Sequence, residues 1–121
     1  MLINWITIKV NDLEKSKEFY GEFLGMKLQN EFSPKESMHI AFFVAENRMK
    51  IELIYDENIK LENSANNNVS IGICSLNYNE LLSKSRENNI ISGEPVVLGG
   101  NMECFFVNDP NGVGVQIIKG E

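Results

Sequence analysis

The chain lacks the features that mark membrane, secreted and nucleic-acid-binding proteins. Its 121 residues contain no apolar run near the ~20 residues of a membrane span, and residues 1–5 lack the basic start of a signal peptide. The 11 lysines and arginines are outnumbered by 17 aspartates and glutamates, and the resulting net charge of −6 argues against a phosphate backbone as partner. We therefore expect a cytoplasmic protein that binds neither nucleic acid nor membrane.

Cysteine and histidine are scarce, which limits the metal and nucleophilic chemistry available to the chain. Cys74 and Cys104 lie 30 residues apart, a spacing that fits no metal or redox motif. We interpret both as reduced and buried, with a disulfide or a reactive thiol as the alternative. His39 is the single histidine, and no serine or cysteine lies in a motif with a histidine partner for nucleophilic catalysis.

The chain does carry a secondary-structure pattern that occurs twice. In each half, an alternating strand is followed by a capped helix and three further strands, which predicts βαβββ followed by βαβββ. The predicted elements of the first half are strands at 3–10, 26–32, 38–45 and 49–55 and a helix from Leu13 to Gly25. Those of the second half are strands at 68–74, 94–98, 102–108 and 113–119 and a helix capped by Asn77.

A polar stretch with three consecutive asparagines, 66–68, separates the two halves and is typical of a linker. The second copy starts 63 residues after the first, so that residues 6–10 align with residues 69–73. We predict a single domain over residues 1–121, made of module one at 1–56, a linker at 57–67 and module two at 68–121.

Strand alternation sorts the side chains into an apolar side, which should pack under the helices, and a mixed side of polar, charged and aromatic residues. A flat, solvated sheet is one interpretation of the mixed side, but Trp5 and Ile54 favour a curved sheet because large apolar groups seldom stand free beside charges. The residues expected to line this cup are Trp5, Thr7, Lys9, Lys50, Glu52, Ser70 and Gln116.

Two predicted hairpins extend the mixed side to neighbouring strands. Pairing across the turn at 45–48 places His39, Ala41 and Phe43 on it, and pairing across the Asp-Pro-Asn-Gly turn at 109–112 adds Glu103 and Phe105. Both assignments depend on register, because a shift of one residue moves every side chain of a strand to the other face.

Three stretches carry motifs that occur together, at these spacings, in one protein family. They are ITIKVNDLEKSKEFYGEFLGMKL at 6–28, MKIELIY at 49–55 and FFVNDPNGVGVQII at 105–118. The first resembles the opening module, the second the fourth strand, and the third the closing hairpin of the vicinal oxygen chelate superfamily, which includes glyoxalases, bleomycin-resistance proteins and extradiol dioxygenases. The resemblance implies an α+β fold in which two βαβββ modules form a curved eight-stranded mixed sheet.

The resemblance also implies where a metal would bind. Metalloenzymes of this superfamily hold a divalent ion with side chains from the first, fourth, fifth and eighth strands, which are Trp5, Glu52, Asn68 and Gln116 here. An indole has no lone pair to offer a metal, and neutral amides are weak ligands for a transition metal. Since Glu52 alone is an ionised ligand, we expect no cofactor. The alternative is a divalent metal in a noncanonical site that also uses His39 and Glu103.

These residues lead to one main functional hypothesis and two alternatives. The main hypothesis is a metal-free, ligand-sequestering protein like those of the bleomycin-resistance branch, in which Trp5, Phe43 and Phe105 stack on a cationic or aromatic small molecule. Glu52 and Glu103 would orient that ligand. A glyoxalase- or isomerase-like enzyme with Glu52 as base and His39 as acid is the first alternative, and a regulatory or interaction module is the second.

Two further points concern assembly and the charge of Glu52. Curved sheets leave strand edges that need cover, and most members of the superfamily are dimers, so we expect a homodimer. The alternative interpretation of Glu52 is that it simply pairs with Lys9 or Lys50 and binds no ligand.

Overall fold

The computed structural model describes residues 1–62 and 66–120, with the side chains of all of these except 66 and 67. The chain divides into two compact units, unit 1 at residues 1–63 and unit 2 at 64–121. In the described part, each unit contains a four-stranded mixed sheet and one helical region, so the α+β class and the repeated βαβββ order are confirmed. The eight strands are divided equally between these two sheets. No helix in the described ranges is long and apolar enough to cross a bilayer.

Unit 1 has the sheet order β1-β4-β3-β2, with β1 parallel to β4 and the other neighbours antiparallel. Asp12 caps the helix, because its carboxylate accepts a hydrogen bond from the Lys15 backbone N–H at 3.1 Å. The elements are β1 (Trp5–Lys9), α1 (Leu13–Lys17), a π-helical segment (Glu18–Phe23), β2 (Lys27–Lys35), β3 (Met38–Val44) and β4 (Lys50–Asp56).

The widened π-helical turn was not expected from the sequence, which predicts a regular helix up to Gly25. The Leu24 N–H donates to the Phe19 carbonyl at 2.9 Å, five residues back, as in a π-helix. Gly21 lies so close to the sheet that a Cβ atom there would meet the Phe43 ring at 2.9 Å. The helical region therefore rests directly on β3.

Unit 2 repeats the arrangement with the order β5-β8-β7-β6. The predicted turn at 109–112 forms, since the Asp109 carboxylate accepts from the backbone N–H groups of Asn111 and Val113, each at 2.8 Å. Asn77 precedes the helix, but its side chain makes no capping hydrogen bond in the described part of the chain. The elements are β5 (Asn66–Ser75), α2 (Tyr78–Glu87), β6 (Ile91–Leu98), β7 (Met102–Asn108) and β8 (Val113–Lys119).

The expected linker at 57–67 is only partly described, because residues 63–65 lie outside the described residues. Residues 57–62 form no strand or helix, whereas 66 and 67 already belong to β5. Asn11 holds the described part of the linker through two hydrogen bonds to the Leu61 backbone, at 2.7 and 3.0 Å. The segment is thus tied to the end of β1.

The apolar sides of the strands pack under the helical regions, as predicted. In unit 1 the largest fully buried side chains include Leu53 of β4 and Tyr20 of the helical region, and in unit 2 they include Phe105 and Ile117 of β7 and β8 and Tyr78 of α2. Burial of such side chains is the main stabilising contribution in each unit.

The register predicted for the two hairpins is wrong by one residue in both units. Val44 pairs with Lys50 and Asn108 pairs with Gly114, so five residues, 45–49 and 109–113, lie between the paired residues of each hairpin, where four were predicted. Because side chains alternate, this extra residue turns β3 and β7 over relative to the prediction. The predicted mixed-side residues His39, Ala41, Phe43, Glu103 and Phe105 therefore lie on the helix-facing side.

Candidate functional site

The mixed side of unit 1 centres on Glu52. Thr7 on β1 and Phe42 on β3 are its direct partners in the two neighbouring strands. The Thr7 hydroxyl donates a hydrogen bond to Glu52 Oε1 at 2.6 Å. Neighbouring strands lie about 4.8 Å apart, so this row brings a hydroxyl, a carboxylate and an aromatic ring side by side.

An aromatic cluster of Trp5, Phe42 and Phe32 borders the carboxylate. The Trp5 ring meets Phe42 edge-on with ring centroids 5.3 Å apart, and Phe32 stacks on Phe42 at 6.4 Å. Trp5 is 46% exposed and Phe32 is 44% exposed, which is high for side chains of this size. The cluster offers a ring-sized apolar surface next to a negative charge.

Glu52 forms no ion pair with Lys9 or Lys50, nor with any other cation in residues 1–62 and 66–120. The alternative interpretation, in which a neighbouring lysine pairs with Glu52, is therefore not supported in the described part of the chain. An ionised carboxylate has about four lone-pair sites, and Thr7 uses one of them. This partly buried group thus keeps spare capacity to accept hydrogen bonds and positive charge.

The mixed side of unit 2 is smaller and neutral. Gln116 pairs with Gly72 on β5 and with Phe106 on β7. Its amide Nε2 donates to the sulfur of Cys104 at 3.3 Å. Cys104 is fully buried, as predicted, whereas Cys74 is exposed, so the expectation of two buried cysteines is half wrong.

The registers of the two sheets show which positions are equivalent. Glu52 corresponds to Gln116 and Thr7 to Gly72, so Trp5, two residues before Thr7, corresponds to Ser70. The alignment of Trp5 with Asn68 is therefore wrong by two residues. Asn68 falls in the irregular stretch of β5 between the paired residues 66 and 70, where the regular register is lost.

The donor groups at these positions do not fit a divalent metal. They are an indole, a carboxylate, a hydroxyl and an amide, from Trp5, Glu52, Ser70 and Gln116. Stable sites for transition metals use three or four good ligands, mostly imidazoles, thiolates and carboxylates. No group of three or more such side chains is arranged to hold a metal within the described ranges.

The structure does not bring His39 or Phe43 to Glu52. The His39 ring stacks on Tyr55 at 6.2 Å and its Nδ1 lies 2.9 Å from the Ser33 hydroxyl. His39 also borders an open depression of about 420 Å³ at the N-terminal end of α1. Phe43 is 3% exposed and packs under Gly21, so it belongs to the core of unit 1.

Glu103 and Phe105 belong to the helix-facing side of unit 2. Phe105 packs edge-on against Tyr78, with ring centroids 5.2 Å apart, and the Glu103 carboxylate lies 3.8 Å from the Lys119 ammonium. Burial, and then the charge of Glu103, raises the pKa of Tyr78. The buried Tyr78 hydroxyl makes no hydrogen bond of regular geometry among the described residues, although the nearby Glu103 carboxylate helps to raise its pKa.

Several residues of the mixed sides were not predicted from the sequence, and four of them bear on the site. They are Phe32, Phe42, Cys104 and Phe106. A five-residue connection in each hairpin would have assigned Phe42, Cys104 and Phe106 correctly, because the parity of the connection decides which of two adjacent side chains shares a face with β4 or β8. The sequence contains no signal that separates four residues from five at these turns.

A family model described as Glyoxalase/Bleomycin resistance protein/Dioxygenase superfamily matches residues 2–117. The chain therefore belongs to this superfamily. A lactoylglutathione lyase of Haemophilus influenzae is 28% identical over 120 residues, which cover 94% of this chain and 89% of that protein. A probable lactoylglutathione lyase of Vibrio parahaemolyticus is 29% identical over 121 residues, with 94% and 87% covered.

Solved structures show the same likeness. The trypanothione-dependent glyoxalase I of Leishmania major has a TM-score of 0.79 at 25% identity, with 98% of this chain and 86% of that chain covered. A glyoxalase I mutant from Zea mays has a TM-score of 0.81 at 23% identity, a level that shows the fold alone. The superposition covers 95% of this chain but only 43% of the longer maize chain.

Proposed function

We propose that the chain is a metal-free binding protein for small molecules that combine an aromatic ring with a positively charged nitrogen, held on the mixed side of unit 1. The observation that carries this proposal is Glu52, a partly buried carboxylate that has a hydroxyl partner but no cationic partner in the described part of the chain. A carboxylate in partly desolvated surroundings favours a positive partner, which the ligand would supply.

The aromatic cluster supports the same class of ligand. Trp5 and Phe32 present exposed ring surface next to Glu52, and such surface binds flat apolar groups as well as cations placed over the ring. The net charge of −6 also attracts a cationic ligand.

Trp5, the single tryptophan, reports on binding directly. We expect its emission to change on titration with proflavine, a planar aromatic cation, and to change less with acridine at mildly alkaline pH, where acridine is uncharged. Glu52→Gln keeps the shape of the side chain and removes its charge. It should weaken proflavine binding about tenfold while leaving acridine binding unchanged. If neither compound perturbs Trp5, or if Glu52→Gln affects both equally, the proposal is wrong.

The metal-free part of the proposal has its own test. Trp5, Ser70 and Gln116 offer neutral groups at positions where metalloenzymes of the superfamily carry metal ligands. We expect elemental analysis of protein purified without chelator to find no stoichiometric zinc, nickel, iron, manganese or cobalt. A stoichiometric metal that Glu52→Gln removes would contradict the proposal.

An enzyme is the second candidate, because the relatives named above are lactoylglutathione lyases or probable ones. Glu52 would then be the base. His39 is not available as its acid, since His39 lies on the opposite side of the same sheet. Turnover to lactoylglutathione by protein supplemented with divalent metal, abolished by Glu52→Gln, would favour this candidate over the first.

We propose further that the working unit is a homodimer in the cytoplasm. Edge strand β2 is exposed along all nine residues, Lys27–Lys35, and such edges tend to be covered by another chain. Light scattering should give twice the chain mass of 13.7 kDa. A mass of one chain at micromolar concentration would contradict the dimer.

A further inference from the structure

We infer that Thr7 sets the specificity of the Glu52 site by favouring ammonium ligands, which can place a single N–H on one carboxylate oxygen. Amidinium ligands, which donate two N–H groups in parallel, should bind less well. Quaternary ammonium ligands, which have no N–H to donate, should also bind less well. This inference rests on the proposed function, since it concerns the ligand held at Glu52. The geometry that supports it is the hydrogen bond between Thr7 and Glu52.

The hydroxyl of Thr7 uses one lone pair of Oε1, one of the two carboxylate oxygens. Thr7 and Glu52 are direct partners in the parallel pair β1–β4, and the Oγ1–Oε1 distance of 2.6 Å is that of a strong O–H···O⁻ bond. Amidinium and guanidinium groups bind carboxylates best through two parallel N–H···O bonds that need both oxygens. Oε1 keeps one lone pair beside the Thr7 hydroxyl, so such a ligand must share this oxygen with Thr7, which weakens one of its two bonds, or must displace the hydroxyl.

The second oxygen remains available. Glu52 Oε2 has no hydrogen-bond or ion-pair partner among the described residues, and the neighbouring strand on its other side contributes Phe42, which has no donor. A single N–H from an ammonium ligand matches this vacant acceptor, while its aromatic part contacts Phe42 and Trp5. A quaternary ammonium keeps its charge but has no hydrogen to donate.

Unit 2 has no hydroxyl at the equivalent position. The position equivalent to Thr7 is Gly72, and there Gln116 turns to the sulfur of Cys104 instead. The side chain at this position, Glu52 in β4 or Gln116 in β8, is thus oriented by the neighbouring residue that offers a hydrogen-bond partner. In unit 1 that neighbour is Thr7, so Thr7 is a positioning residue for Glu52.

Three probes with one aromatic group test the inference. They are 2-naphthylmethylamine, 2-naphthamidine and trimethyl(2-naphthylmethyl)ammonium, and their dissociation constants are measured by calorimetry. We expect the wild-type protein to bind the primary ammonium about tenfold more tightly than either of the others, the difference made by one charge-assisted hydrogen bond.

Substitution of Thr7 should change the order of affinities and not merely their size. Thr7→Val has the same shape but no hydroxyl, so it frees Oε1 and should bring the affinity of the amidine up to or above that of the amine. Thr7→Ser restores the donor and should restore the wild-type order. Because each ratio is measured on one variant, a loss of folded protein cannot mimic the change.

Each outcome decides between the two proposals. If none of the probes binds, the proposed function fails and this inference fails with it. If all three bind wild-type protein equally, or if Thr7→Val leaves their ratios unchanged, the inference is overturned while ligand binding at the aromatic cluster stands. A preference for the amine that is lost in Thr7→Val and regained in Thr7→Ser supports it.

Discussion

Unit 1 and unit 2 share strand order, strand direction and hairpin length, but their mixed sides carry different side chains. The equivalent positions, given as unit 1 with unit 2, are Trp5 with Ser70, Thr7 with Gly72, Lys50 with Gly114, Glu52 with Gln116 and Phe42 with Phe106. An indole, a hydroxyl and two charged groups of unit 1 are replaced by smaller or neutral side chains in unit 2, and only the phenylalanine is kept. The backbone therefore fixes where a side chain points, and the side chains alone decide the chemistry.

The largest loss of stability should come from substitutions at equivalent core positions of the two units. Leu53 and Ile117 are fully buried in β4 and β8. Leu53→Ala and Ile117→Ala should each lower the free energy of unfolding by about 3 kcal/mol, from lost burial and the cavity left behind. Chemical denaturation measures both, and the exposed Leu76 provides the control, since Leu76→Ala should cost less than about 0.5 kcal/mol. Equal tolerance of all three would show that the two cores do not stabilise the fold.

Substitution of glycine by alanine should lower stability at Gly21 in unit 1 but not at Gly72 in unit 2. Gly21 in unit 1 has no room for a methyl group, because a Cβ would meet the buried Phe43 ring at 2.9 Å. Gly21→Ala should therefore destabilise by about 1–2 kcal/mol. Gly72 in unit 2 has ordinary contacts at 3.9 Å or more, so Gly72→Ala should be neutral or stabilise by about 0.5 kcal/mol. Thermal unfolding separates the two, and a costly Gly72→Ala would contradict the difference.

A smaller effect is expected at Tyr78, whose buried hydroxyl makes no hydrogen bond of regular geometry among the described residues. Tyr78→Phe removes that group and should stabilise the protein by about 1 kcal/mol at neutral pH. Because the pKa of Tyr78 is raised by burial, the folded state keeps this proton when the unfolded state loses it, so stability falls as pH rises above about 10.

The role of Tyr78 titration is tested by comparing how the stability of the wild-type protein and of Tyr78→Phe depends on pH. Tyr78→Phe should show a shallower loss of stability in the alkaline range than the wild-type protein, measured by denaturation at several pH values. Wild-type and variant curves that stay parallel above about pH 10 would mean that Tyr78 titrates alike in the folded and unfolded states.

The sequence predicted the element order and the contents of β1, β4 and β8, but not the orientation of β3 and β7. Within β1, alternation alone places Trp5 and Thr7 on the side opposite the apolar residues, and within β4 it places Glu52 likewise, whatever these strands pair with. For β3 and β7 the side depends on the length of a turn. The hydrophobic pattern gives no help, because adjacent phenylalanines, such as Phe42 and Phe43, make both sides of each strand apolar.

The candidate site was therefore predicted in part. Trp5, Thr7, Lys9, Lys50 and Glu52 lie on the mixed side of unit 1, and Ser70 and Gln116 on that of unit 2, as expected from alternation. The position assigned to Asn68 belongs to Ser70, because the irregular stretch of β5 between residues 66 and 70 breaks the count that strand alternation relies on. No periodicity in the sequence announces such an irregularity.

The five-residue connections at 45–49 and 109–113 have a consequence for how this fold changes over generations. Loss of a single codon in either connection would turn β3 or β7 over, so that Phe43 replaces Phe42, or Phe105 replaces Phe106, on the mixed side. Glu52 would stay where it is, and no helix would change. Length variation in two surface turns thus offers descendants of this gene a new binding surface at one mutational step, with the coding sequence of the strands left untouched.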